Sequence, residues 1–207
     1  MPEAGVRQGR RVVLASANPG KQREFAALLR NFQLELVLQT TLEIAGAAET
    51  GATFEANALL KARHAARASG LPALADDSGL EVDALDGRPG VYSARYAGES
   101  ASDADNNAKL LAELSAVPTP ARTARYRCVL ALVRAADDPA PVLAHGLWEG
   151  IIASEPAGTN GFGYDPLFIP RGMTLHAAQL RATLKNRLSH RGQASAELVR
   201  RLAEVVW

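Results

Sequence analysis

The sequence predicts an α/β fold, a mixed β-sheet with helices packed against it. Three observations carry that expectation. Short apolar strand-like stretches alternate with helical periodicity early in the chain, and two long β-like segments follow as a hairpin. Of the 207 residues 47% are hydrophobic, enough to build a substantial core in one α/β domain or two small lobes.

Taken in order, residues 12–15 form a short apolar strand. A helix then starts at Pro19, with Asn18 as a natural N-cap and Pro19 in the first helical position. It runs through REFAALLRNF and places Phe25, Leu28 and Leu29 on one face. LELVL is the second strand. After the turn-like EIAGAAETGAT comes a helix over residues 54–69, whose buried stripe is Ala58, Leu59, Ala62, Ala65 and Ala66, with Asn57 and Lys61 on another side. LPALADD reads as a strand that delivers two carboxylates at its end, and SGLEVDAL resumes extended structure after a glycine turn. DGRPGVYSARYAG reads as an irregular loop and ASDADNNAKLLAEL as a capped helix. ARYRCVLALVRA and APVLAHGLWEGIIA form a long hairpin with ADDP at its tip. Beyond EPAGTNGFGYDP the chain turns helical and ends in the amphipathic ASAELVRRLAEVV.

Charge and cysteine content narrow the function. Lys and Arg number 23 against 22 Asp and Glu, so nothing in the balance calls for nucleic acid or an anionic membrane. The single cysteine, Cys128, sits in the apolar run YRCVLALV and reads as a buried thiol. One cysteine allows no disulfide within the chain, which suits the cytoplasm. RQGRRVVLASA has a basic start and a small-residue end, but its apolar stretch is shorter than the roughly 7 to 15 residues of a signal peptide. No run has membrane-spanning length. These points predict a soluble cytoplasmic protein with a leader over residues 1–10.

The chemistry-bearing stretches begin with SANPGK. A phosphate-binding loop of the G-x-x-x-x-G-K-[ST] type would need glycine at position 15 and a hydroxyl at position 22, where this chain has Ala15 and Gln22. A strand running into an Asn-capped helix still exposes backbone N–H groups, and Lys21 adds a cation that opposes the helix dipole. The segment is an anion site or simply a capped surface helix. Asp76 and Asp77 are costly to place together without cations or donors. They mark an Asx-type turn, or a site for a hard metal completed by substrate phosphates. In a regular strand they would face opposite ways, so the turn at Ser78 and Gly79 is what would bring both to one site. Glu49 in AETG offers a further carboxylate. GTNGFGYDP is a turn-rich connector or a loop that closes on a flat ligand, with Phe162 as the stacking ring. Ser189, His190 and Arg191 open a helix or offer donors to a carbonyl or phosphate oxygen. His64, His145 and His176 have no metal spacing.

In this order, SANPGK, ETG, ADDSGLEVDAL, GRPGVYSARY, GFGYDPLF and SHRGQA resemble the inosine triphosphate pyrophosphatase family, with the bacterial dITP/XTP pyrophosphatases most similar. The resemblance implies an elongated mixed sheet flanked by helices, with two lobes around a central nucleotide cleft, as a single domain over residues 11–207 and a homodimer. It implies hydrolysis of deaminated purine triphosphates (dITP, ITP, XTP, dXTP) to monophosphate and pyrophosphate with Mg²⁺. By that likeness Ser16, Ala17, Asn18, Pro19, Gly20 and Lys21 hold the triphosphate, with Ser78 beside them and Lys61 also reaching phosphate. Glu49 and Asp77 position Mg²⁺, Asp77 is the general base, and Asp76 supports the metal or orients the water. Phe162, Gly163, Tyr164, Asp165, Lys185, His190 and Arg191 take the base. The chain departs from the family pattern in having Ser16 and Ala17 for the usual Thr-Gly, and Ala48 where a second acid often precedes Glu49. Two other readings compete: a pyrophosphatase for modified pyrimidine nucleotides, opposed by the FGYD and SHR blocks, and a non-catalytic nucleotide-binding protein, opposed by the retained Lys21, Lys61, Asp76 and Asp77.

Overall fold

The computed structural model describes residues 10–29 and 34–204. The expected leader lies outside the described residues except for Arg10, which already belongs to β1 (Arg10–Leu14). Helix α1 (Pro19–Leu28) follows, then β2 (Leu34–Leu38), α2 (Phe54–Ser69), β3 (Ala73–Val82), α3 (Asp103–Glu113), β4 (Thr123–Val133), β5 (Val142–Ile152), β6 (Phe168–Pro170), α4 (Ala182–Leu188) and α5 (His190–Glu204). The sheet has six strands in the order β2-β1-β3-β4-β5-β6. It is mixed as expected: β1 runs parallel to β2 and β3, while β3 through β6 are antiparallel. Among the described residues no helix is long and apolar enough to cross a membrane.

Apolar periodicity accounts for how the helices dock. In α2 the small side chains Ala58, Ala62, Ala65 and Ala66 are buried, as is Phe54, so the helix lies close against Val13, Ala75 and Ala131 of the sheet. Phe25 and Leu29 of the α1 segment join Val12, Leu14, Leu130 and Leu198 of α5 in a second cluster. A third cluster fills the far end, where Leu80, Val82, Tyr126, Trp148 and Phe168 pack with Leu110 of α3 and with Tyr164. Strands β3, β4 and β5 run through both ends and join them into two halves.

One expectation is corrected. Ser78 and Gly79 do not turn; β3 is continuous from Ala73 to Val82, and its pairing with β4 is unbroken through Ser78↔Cys128 and Gly79↔Arg127. The glycine serves close approach instead: a Cβ on Gly79 would lie 2.5 Å from Ser93 Oγ and would also strike the Gly90 carbonyl. The segment expected to be irregular, residues 86–98, packs here through a 3₁₀ turn over Gly90–Arg95, and Ser93 Oγ accepts the Leu80 N–H at 2.9 Å.

Candidate active site

Pairing of β1 with β3 stops at Leu14↔Leu74. From Ala75 onward the β1 side of β3 is therefore open to side chains from α1 and α2. Because β3 stays extended, Asp76 and Ser78 face one way and Asp77 the other. Two charged groups result, one on each face of a single strand.

On the first face, Asp76 is 1% exposed and its Oδ2 receives Lys21 Nζ at 2.8 Å and Ser78 Oγ–H at 3.0 Å. Burial would raise its pKa, but Lys21, Arg191 and Lys61 outweigh burial and hold the carboxyl well below the usual carboxylate range. Asp76 Oδ1 is buried with no hydrogen-bond partner in the protein. Arg191 Nη2 donates to Ser78 Oγ at 2.8 Å, and its Nη1 donates to Glu24 Oε2 at 3.1 Å. Lys185 Nζ then joins Glu24 Oε1 at 2.7 Å to Asp165 Oδ2 at 2.6 Å. Lys21, Asp76, Arg191, Glu24, Lys185 and Asp165 thus form one chain of alternating charge, an arrangement that offsets the cost of burying each ion.

Phe162 lies under this chain. Its ring centroid is 4.9 Å from the Arg191 guanidinium carbon and 5.1 Å from Lys185 Nζ, and a Cβ on Gly20 would approach the ring to 2.6 Å. The Phe162 N–H donates to Asp165 Oδ2 at 2.9 Å. His190 stacks flat on Tyr126, with ring centroids 4.6 Å apart and planes 5° apart. Burial, reinforced by Arg191 and Lys185, pushes its pKa well below the ordinary histidine value, so the ring is neutral with both nitrogens unpartnered in the protein. Asn18, Lys21, Ser78, Phe162, Asp165 and His190 help line a cavity of about 90 Å³ here. Tyr164 also lines it, but its hydroxyl is engaged, donating to the Ser93 carbonyl at 2.8 Å.

On the second face, Lys61 Nζ sits between Asp77 Oδ1 at 2.8 Å and Glu49 Oε1 at 2.7 Å. Asn57 Nδ2 donates to Asp77 Oδ2 at 3.3 Å, and Arg95 Nη1 to Glu49 Oε2 at 3.2 Å. Burial raises the Asp77 pKa despite Lys61, whereas Glu49 is lowered because Lys61 and Arg95 outweigh its burial. Lys61 is raised, its burial overcome by Asp76, Asp77 and Glu49. Asp76 thus pairs with Lys21, while Asp77 shares Lys61 with Glu49. Among the described residues no group of three or more His, Cys, Asp or Glu is placed to hold a metal. Two carboxylates converging on one ammonium do present a hard-oxygen donor pair of the kind that Mg²⁺ takes together with phosphate oxygens.

The α1 terminus is capped as expected. Asn18 Oδ1 accepts the N–H groups of Gly20 at 2.8 Å and Lys21 at 3.1 Å, which leaves those two donors engaged. Ser16 Oγ accepts the Asn18 N–H at 3.2 Å, while Ala17 is exposed and Pro19 opens the helix. Glu24 and Arg95 were not singled out from the sequence, and Asn57 was placed beside Lys61 without a role. Each is an isolated polar residue whose partner lies far along the chain.

The site is thus an α/β strand edge lined by Lys21 and Lys61 beside a small pocket walled by the Phe162 ring. The chain belongs to the Ham1 family, whose model matches residues 12–201. It is 53% identical over 195 residues to the dITP/XTP pyrophosphatase of Vibrio cholerae serotype O1, covering 94% of this chain and 98% of that one. It is 58% identical over 193 residues to the dITP/XTP pyrophosphatase of Methylococcus capsulatus, covering 93% and 96%. Among solved structures, a HAM1 protein from Coxiella burnetii superposes with a TM-score of 0.87 at 48% identity, covering 95% of this chain and 100% of that one. The nucleoside-triphosphatase / dITP/XTP pyrophosphatase of Mycobacterium abscessus gives 0.73 at 47% identity, covering 91% and 98%.

Proposed function

We propose that this chain is a nucleoside triphosphate pyrophosphatase that hydrolyses deaminated purine nucleotides, dITP, ITP, XTP and dXTP, to the monophosphate and pyrophosphate. The observation that carries this reading is the pair of lysine–carboxylate groups on the two faces of β3, Lys21 with Asp76 and Lys61 with Asp77, beside the Phe162 pocket. Relatives named dITP/XTP pyrophosphatase at 53% and 58% identity support it.

In this reading Lys21 and Asn18 hold phosphate oxygens and Lys61 neutralises charge on the departing pyrophosphate. Asp77 takes the proton from the attacking water; a carboxylate whose pKa burial has raised is a stronger base than a solvated one. Asp76 orients Lys21 and Arg191. Glu49 and Asp77 would hold Mg²⁺, which would supply positive charge to screen the phosphates from the nucleophile. At the other end Phe162 stacks the base, and Lys185, His190 and Arg191 offer donors to a 6-keto oxygen. Adenine, with an amino donor there, meets mismatched donors.

The enzyme works on free nucleotides in the cytoplasm as a homodimer, a reading supported by the motif resemblance and by a charge balance of 23 to 22 that suits no polyanion. Light scattering should give twice the chain mass of 21.9 kDa; a value near a single chain would remove the dimer. The decisive experiment is product analysis with purified protein and Mg²⁺ on dITP, XTP, dGTP, dATP and a pyrimidine triphosphate. Pyrophosphate released chiefly from dITP and XTP is expected. Preference for the pyrimidine would overturn the base assignment, and release of single phosphate would overturn the bond cleaved.

A further inference from the structure

We propose that Asp103 and Asn107, on the first turns of α3, are positioning residues that fix the plane of the Phe162 ring by gripping the peptide groups of Gly163. The proposal rests on the reading of the pocket as a purine site. Phe162 is flanked by Gly161 at φ 77° and Gly163 at φ 63°, both in the left-handed region. Glycine on both sides gives the ring's backbone more freedom than any other pair would, and the segment belongs to no helix or strand. Three polar contacts remove that freedom. Asp165 takes the Phe162 N–H, as described. Asp103 Oδ2 accepts the Gly163 N–H at 2.7 Å, and Asn107 Nδ2 donates to the Gly163 carbonyl at 2.9 Å. Both polar groups of one residue are thus held by side chains four apart on one helix face. Asn107 Oδ1 is buried without a partner, so the amide is not placed there to satisfy its own oxygen.

The helix does not need Asp103 for its own start. Ser102 is its N-cap and forms a capping box with Asp105, through Ser102 Oγ to the Asp105 N–H at 3.2 Å and Asp105 Oδ2 to the Ser102 N–H at 2.9 Å. Asp103→Ala should therefore fold. Leu110 anchors α3 in the far cluster, so the grip ties the stacking ring to that half of the core.

The test compares Asp103→Ala, Asp103→Asn and Asn107→Asp with the parent enzyme. A ring held less firmly loses ground-state and transition-state stacking alike, so KM for dITP should rise about tenfold with kcat within about twofold. Inhibition by inorganic tripolyphosphate, which has no base, should not change. Asp103→Asn should recover most of the loss, because its amide oxygen can accept the same N–H. Asn107→Asp, which sets a carboxylate against the Gly163 carbonyl, should not. In a Phe162→Ala background Asp103→Ala should add nothing. An unchanged KM, a parallel loss for tripolyphosphate, or an equal effect without the ring would overturn the proposal. Amide exchange at Gly163 in the ligand-free protein reads the grip by itself: faster exchange in Asp103→Ala supports it and unaltered exchange overturns it. If the parent enzyme failed to hydrolyse dITP, the functional reading would fall, and the exchange rate alone would decide the grip.

Discussion

Asp76 and Asp77 share a peptide bond and are shifted in opposite directions, Asp76 down and Asp77 up. Lys21 and Lys61 act on both, but strand alternation turns Asp76 toward Arg191 as well, and that third cation tips its balance. The depressed group stays ionised and anchors Lys21; the raised one is the better proton acceptor. Without metal the Asp77 carboxyl should titrate above the ordinary aspartate value of 3.8, read by carboxyl-carbon NMR, and Mg²⁺ held by Glu49 and Asp77 should lower it. A metal-free value at or below 3.8 would remove the burial argument for Asp77 as the base. Asp77→Asn should lower kcat by about 10²- to 10⁴-fold while nucleotide binding persists; full activity, or loss of binding together with activity, would refute the assignment. Phe162→Ala should raise KM for every purine substrate by about five- to a hundredfold. Stacking reads a flat face and not its substituents, so selectivity should not sharpen; an unchanged KM would take Phe162 out of the stack.

At the scale of elements, Glu24 is a charged tie between α1 and the α4–α5 pair, since it receives both Lys185 and Arg191. Its pKa is lowered because those two cations outweigh its burial. Glu24→Gln leaves two buried cations short of a counter-charge and should cost about 3 to 5 kcal/mol, read from urea denaturation. A lowered pKa means this stabilisation is fully present above the ordinary value of 4.5 and is lost as pH falls through the folded value. The parent should therefore lose stability on acidification more steeply than Glu24→Gln; equal slopes would show that Glu24 contributes nothing through its charge. The helix carrying Glu24 was legible in the sequence through Asn18 and Pro19, and α2 and the β4–β5 hairpin were legible through their periodicity. Glu24 itself was not, because one acid on a helix gives no local sign of partners 161 and 167 residues away. Gly79 misled for a different reason. A glycine permits a turn and a close approach equally, and only the packing of Gly90 and Ser93 onto β3 decides between them.

For the whole molecule, the contact between Phe162 and Gly20 joins two halves with separate cores. The Phe162 loop runs directly into Tyr164, Leu167 and Phe168 of the far cluster, while the helix that carries Gly20 packs through Phe25 into the near one. With the ring resting on Gly20, the cavity between the halves measures about 90 Å³, well below the roughly 300 to 1,000 Å³ of most small-ligand sites. A purine must therefore displace the ring from Gly20 before it can stack on it, by a shift of the loop or a parting of the halves along β3, β4 and β5. Such a step makes binding two-stage. In stopped-flow mixing with dITP, in Ca²⁺ or another condition that slows turnover, the observed rate should level off at high nucleotide, where ring movement and not encounter sets the pace. Phe162→Ala, which has no ring to move, should show a rate that climbs in proportion to nucleotide over the same range. A proportional rise in the parent enzyme would mean that the halves already stand apart in solution and that the ring blocks nothing. A plateau in both proteins would place the slow step elsewhere, in movement of the halves themselves.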